Sequence, residues 1–149
     1  MNKIVKNNIS LLNNITWYDI NIKGYINKCL KNQAAVYIFM QMPCLNEKAS
    51  YYVGSTIELK KRLNSHKYSA TCLESSIFYR SISKHGWPRF KFGILEYVDS
   101  SNIMNIEQRI KTLLSREQYY LDNINPSLNS RKKASSPLGK KRTIKFDSL

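Results

Sequence analysis

The chain has 149 residues, enough for one compact domain with its own core and with tails beside it. Its hydrophobic content of 42% excludes wholesale disorder, and no apolar run approaches the roughly 20 residues of a membrane span. With 24 Lys and Arg against 10 Asp and Glu, the formal net charge is +14, which favours a polyanionic partner, nucleic acid first. Cys29, Cys44 and Cys72 are odd in number and lack the short paired spacing of a disulfide framework or a zinc site, which fits a reducing compartment.

In chain order, residues 1–33 are polar and Asn-rich around Trp17, Tyr18 and Tyr25, and read as an accessory lead-in with room for one short helix. The run AAVYIFM, residues 34–40, is continuous, apolar and rich in strand formers, as a central strand requires. QMPCLNEKAS then reads as a hairpin connection to a second strand in SYYVGS. Ser55 and Glu58 have capping-box spacing, so a helix is expected from near Thr56 to about Tyr68. Residues 75–86 form a second helix, capped by Ser75 or Ser76 and ended by Gly86. Residues 89–98 form a third strand, and a last helix runs from about Ile103 to Ile124 before Asn125-Pro126. The core order is β-β-α-α-β-α, an α/β (α+β) sandwich built on a small sheet flanked by helices. Residues 131–149 hold seven Lys or Arg against one Asp.

Two charged residues fall where apolar ones belong. The first helix sets Leu59 and Leu63 on its buried stripe, and Arg62 and His66 share that face. In the last helix Glu117 lies on the stripe between Leu113 and Leu121, where an isolated carboxylate costs several kcal/mol unless it is paired, hydrogen-bonded or metal-bound. An arginine for phosphate and a carboxylate for a hydrated Mg²⁺ would make a phosphate-chemistry site. The ordinary readings stand beside it: Arg62 with its stem on the core and its head in water, Glu117 as a surface residue or a partner of Arg116, His66 as a structural histidine, Tyr37 and Tyr52 as sheet residues. The residues alone lead to a basic α/β domain with a candidate phosphate site.

The constellation resembles the GIY-YIG endonucleases. Ala35-Val36-Tyr37 is similar to the family's Gly-Ile-Tyr, and Tyr52-Val53-Gly54 to its Tyr-Ile-Gly. The following Ser-Ser/Thr-x-x-Leu-x-x-Arg pattern is matched from Ser55 to Arg62, with His66 four residues on. SISKHGWPRFKFGILEYVD resembles the middle segment, and SREQYYLDNINPSLN the last motif, with Glu117 and Asn129 in its two marked positions. The resemblance spans residues 34–130, between a lead-in at 1–33 and a basic tail at 131–149. It implies a three-stranded antiparallel sheet and a metal-dependent endonuclease acting on DNA, with no membrane and no obligate protein partner. It assigns Tyr37, Tyr52, Arg62, His66 and Glu117 to catalysis, with Glu117 holding one divalent ion, Mg²⁺ or alternatively Mn²⁺. Gly54, Asn129, Lys132, Lys133, Lys140, Lys141 and Arg142 are its expected substrate contacts.

Within the family, the segment from Ala134 to Lys141 is similar to the start of the DNA-recognition region of intron-encoded homing endonucleases of fungal mitochondria. A mitochondrial location follows by analogy, and the chain ends at Leu149 before a complete recognition module would form. Two other functions remain open: a catalytically inactive nucleic-acid-binding remnant, and a structure-specific nuclease that processes DNA or RNA.

Overall fold

The computed structural model describes residues 11–20, 32–71, 76–98, 105–130 and 133–134. In chain order the elements are β1 (Trp17–Asp19), β2 (Ala35–Gln41), β3 (Ser50–Thr56), α1 (Leu59–Thr71), α2 (Ile77–His85), a 3-10 turn (Trp87–Arg89), β4 (Phe90–Tyr97) and α3 (Ile106–Ile124). The sheet is antiparallel throughout, in the order β1-β4-β2-β3. It has four strands where three are expected. The extra one comes from the lead-in, as Trp17, Tyr18 and Asp19 pair with Gly93, Phe92 and Lys91 on the outer side of β4. Three residues are too few for alternation to betray a strand in the sequence, and a short strand suits a sheet edge.

Alternation along β2 divides the core. Ala35, Tyr37 and Phe39 face one way and pack with Leu59, Leu63, Phe78, Ile82, Phe90 and Phe92 beneath α1 and α2. Val36 and Ile38 face the other way, with Val53, Leu113, Leu121 and Ile124 beneath α3. The sheet is therefore covered on both faces, and β2 carries the continuous apolar run expected of a doubly buried strand.

The helix ends follow their residues. Ser76 caps α2 by accepting the Tyr79 N–H at 3.1 Å, and Gly86 takes φ 84° just after it, a conformation open to glycine. Asn105 and Gln108 form a capping box on α3, which ends at Asn125 in the left-handed region. The start of α1 departs from expectation: the helix begins at Leu59, and Ser55 does not cap it. Thr56 Oγ1 accepts the Glu58 N–H at 3.1 Å, Gln33 O accepts from Leu59 N, and Asn32 Oδ1 from Lys60 N. Ser55 is still within β3, its side chain turned to Glu117 on the α3 face, so the neighbouring threonine takes the N–H just ahead of the helix, and Gln33 and Asn32 take the first helical ones.

The outer edge of β3 is closed by the segment after α3. Leu128 N donates to Tyr51 O at 2.9 Å. Asn129 then spans Val53 from both sides: its Oδ1 accepts the Val53 N–H at 2.9 Å and its Nδ2 donates to the Val53 carbonyl at 2.8 Å. One side-chain amide thus stands in for a neighbouring strand. Asn129→Ala would leave both groups of Val53 without these partners, and should lower stability by about 1–3 kcal/mol in chemical denaturation. A loss below about 0.5 kcal/mol would show that water replaces the amide.

Candidate active site

The buried stripe of α1 is as the sequence predicts: Leu59, Leu63 and His66 are all buried, and Arg62 is half-buried beside them. His66 is fully buried with both ring nitrogens engaged. Its Nε2 lies 2.6 Å from the hydroxyl of Tyr37, and its Nδ1 lies 2.6 Å from the hydroxyl of Tyr79 on α2. Phe39, Tyr52 and Phe78 surround the ring edge to face, and Tyr52 itself stacks on Phe78 at 4.1 Å between centroids.

Tyr37 is also completely buried, at the centre of the sheet. It pairs with Gly54, and its ring lies across that residue: a Cβ on Gly54 would meet the Tyr37 hydroxyl at 2.5 Å. Gly54 is thus a mid-strand residue that makes room for Tyr37. Ala35, in place of the first motif's glycine, is buried in regular strand, and it is not among the described residues with positive φ, so alanine is tolerated there.

Burial pushes the Tyr37 phenol up to about 12, against the pull of the Arg62 guanidinium, which bears on the same hydroxyl by charge and by hydrogen bonding. That attraction in turn holds Arg62 firmly protonated despite its partial burial. Burial also drives the Tyr52 phenol well above its usual value, with the neighbouring Tyr37 adding to it and Arg62 opposing. Neither phenol ionises at neutral pH unless charge or a proton acceptor assists it.

Glu117 is 8% exposed, so it is not the surface glutamate of the ordinary reading, and Arg116 instead pairs with Glu96. Its Oε1 accepts the Ser55 Oγ–H at 2.6 Å. No Lys or Arg nitrogen among the described residues lies within 4.0 Å of it. Burial raises its carboxyl to about 7, against the lowering pull of the Ser55 hydrogen bond and the Arg62 charge. Ser55 and Glu117 belong to the α3 face, whereas Tyr37, Tyr52, Arg62 and His66 belong to the α1 face. The site is therefore not confined to one face of the sheet. It gathers at the C-terminal end of edge strand β3, close enough for the Arg62 charge to act on both Tyr37 and Glu117.

A GIY-YIG catalytic domain matches residues 33–131, about two thirds of the chain. The protein belongs to the GIY-YIG family. Members are endonucleases, so this fold carries a nuclease domain. No solved structure matched the chain. The family match covers every site residue from Tyr37 to Asn129 and stops before most of the basic tail. Of the tail's expected contacts, Lys133 is exposed, while Lys132, Lys140, Lys141 and Arg142 lie outside the described residues.

Sequence reasoning missed two of the groups that hold the site together. Ser55 is read as a cap because a hydroxyl before a helix normally is one, and only the following Thr56 hints at a second candidate. Tyr79 is one of ten tyrosines, and nothing local sets it apart; its spacing from Ser76 fixes only that it lies in the first turn of α2. The residues also suit a divalent ion. Mg²⁺ keeps several of its waters and is held by one or two carboxylates plus substrate phosphate, so it needs few protein ligands. A single desolvated carboxylate, oriented by Ser55 and with no Lys or Arg of the described residues within ion-pair distance, offers that donor. Among the described residues no cluster of three or more His, Cys, Asp or Glu competes with it.

Proposed function

We propose that this chain is a metal-dependent DNA endonuclease that hydrolyses phosphodiester bonds at the β3 site. The observation that carries the reading is the convergence on one buried hydroxyl: Tyr37 is held by His66 and approached by the Arg62 guanidinium, whose charge also reaches Glu117.

Each group then has a task that its surroundings support. Arg62, a permanent cation with planar donors, would bind the scissile phosphate and offset charge developing on its oxygens. Tyr37 would accept a proton from the attacking water, with Arg62 stabilising the phenolate and His66 receiving the Tyr37 proton beforehand. Tyr52 would line the approach on the same face. Glu117, aligned by Ser55, would hold one Mg²⁺ (or Mn²⁺), which when bound would supply positive charge to the phosphate and to the leaving oxygen. Asn129 acts on this reading through β3: by fixing Val53 it fixes Gly54 and Ser55, and hence Tyr37 and Glu117.

The charge of +14 suits a duplex DNA substrate, and the basic tail would add affinity independent of sequence. An intron-encoded homing role in mitochondria extends the same reading and rests on the Ala134–Lys141 resemblance. Ala134 N donates to Gln118 on α3 at 2.9 Å, so a cut after it leaves that contact in place. Deleting residues 135–149, which hold four Lys or Arg, should reduce the slope of log K against log salt by about 2–3 units, at about 0.9 per phosphate contact. An unchanged slope would remove the tail from the interface.

Relaxation of supercoiled plasmid tests the function itself. Nicked product is expected with Mg²⁺ and none with chelator. Binding without nicking under every divalent ion would leave an inert DNA-binding module, and faster cleavage of branched DNA or RNA would reassign the substrate.

A further inference from the structure

Arg116 stands next to Glu117 on α3, and the nuclease reading gives it no task. Its Nε donates to both carboxylate oxygens of Glu96 on β4, at 2.9 and 3.1 Å. The Tyr120 hydroxyl donates to one of the same oxygens at 3.0 Å. The guanidinium carbon lies 4.6 Å from the centroid of the Tyr119 ring and 5.6 Å from that of Tyr120, and the two rings meet edge to face. The side chain is nevertheless 37% exposed.

Hydrogen bonding and ring contacts thus fix this arginine, but not as an ion pair built for stability would. A guanidinium holds a carboxylate best through two parallel N–H bonds. Here both Glu96 oxygens fall on Nε alone, and the fork of terminal nitrogens makes no hydrogen bond to that carboxylate. An exposed ion pair adds little stability in any case. Ordering a long side chain costs conformational entropy, and a ligand that meets it already ordered is spared that cost. The chemistry of the acceptor follows from the fork: planar donors of fixed geometry match the oxygens of a phosphate.

The sheet places this fork relative to the site. Val36 pairs with Ser55 on one side and with Glu96 on the other, so the residue that holds Glu117 and the residue that holds Arg116 lie in one row. They are two strand spacings, or about 10 Å, apart. A DNA strand advances about 3.4 Å along its axis per phosphate, so a strand laid along that row brings a phosphate about three steps from Glu117 level with Arg116.

We propose that Arg116 is a substrate-binding residue that grips a non-scissile DNA phosphate about three steps from the cut, with Glu96, Tyr119 and Tyr120 holding its guanidinium ready. The contact rests on the reading of DNA as the substrate, and not on which group activates water.

Equilibrium binding of a labelled random-sequence duplex, titrated over salt in chelator buffer, tests it on the full chain. The variant that decides is R116Q/E96Q, which removes one positive and one negative charge and so leaves the net charge at +14. A brace for α3, or a charge felt only at a distance, predicts no change in this variant once thermal unfolding shows it folded. The contact predicts a slope of log K against log salt smaller by about 0.9, and binding about fivefold weaker at physiological salt. R116K keeps the charge and a partner for Glu96 but has no fork, and should also weaken binding, by about twofold or more. Wild-type slope and affinity in the folded double variant overturn the contact and leave the nuclease reading intact. A lowered slope in a chain that nicks no plasmid under any divalent ion keeps the contact and overturns the nuclease reading.

Discussion

Replacing Gly54 by alanine should abolish cleavage while leaving DNA binding in place. The new methyl carbon would lie 2.5 Å from the Tyr37 hydroxyl oxygen, 2.6 Å from Cζ and 3.0 Å from Cε1. Ordinary contact between such atoms is about 3.5–4.0 Å, so the ring must retreat by about an ångström. It cannot do so freely, because Phe39, Phe92 and His66 pack against it and its hydroxyl is bonded to His66. Overpacking of this kind costs about 1–3 kcal/mol, which lowers the melting temperature without preventing folding. The larger effect is on chemistry: a misplacement of about 1 Å in a reacting group costs about a hundredfold in rate. Single-turnover cleavage beside thermal unfolding measures both. A folded G54A protein that cleaves at the wild-type rate would show that the position of Tyr37 is not used.

The second large effect concerns stability, and it runs against activity. Glu117 has its carboxyl raised from the usual 4.5 to about 7 by burial, so the folded chain binds that proton more tightly than the unfolded chain does. The favourable contribution is complete below about pH 4.5 and is lost as pH rises through about 7; above that the fold carries a desolvated charge. The difference is on the order of 3 kcal/mol. Glutamine cannot ionise, yet it keeps an oxygen for Ser55. In metal-free buffer Glu117→Gln should therefore be more stable than wild type at pH 8 by that order, and nearly equal to it at pH 4. Urea unfolding across this range measures it, and a stability difference that ignores pH would mean that the carboxyl is not desolvated. Functional sites commonly carry such a stability penalty.

Much of this architecture is legible in the sequence because the signals are local and strong. AAVYIFM announces a doubly buried strand, the caps of α2 and α3 lie in their own residues, and Glu117 stands out because a charge interrupts an apolar stripe. What escapes is decided by partners distant in sequence. Trp17–Asp19 becomes a strand only because β4 has an open edge. Ser55 is drawn from capping by a carboxylate 62 residues away, and Asn129 finds its acceptor and donor 76 residues back. The same limit hides Tyr79, whose role exists only once α2 packs beside α1. The placement of Glu117 and Tyr37 on opposite faces follows from strand pairing, which fixes that Ser55 lies opposite Val36 and Gly54 opposite Tyr37.

The central claim is that Glu117 is the metal-holding carboxylate of a nuclease whose remaining groups act on bound DNA. Its most direct test is single-turnover nicking of supercoiled plasmid with Mg²⁺ by the wild-type chain and by Glu117→Ala, with DNA affinity measured on both. The account predicts nicked plasmid from the wild type, none above background from the variant, and affinities within about threefold of each other. Nicking by the variant at the wild-type rate would contradict it.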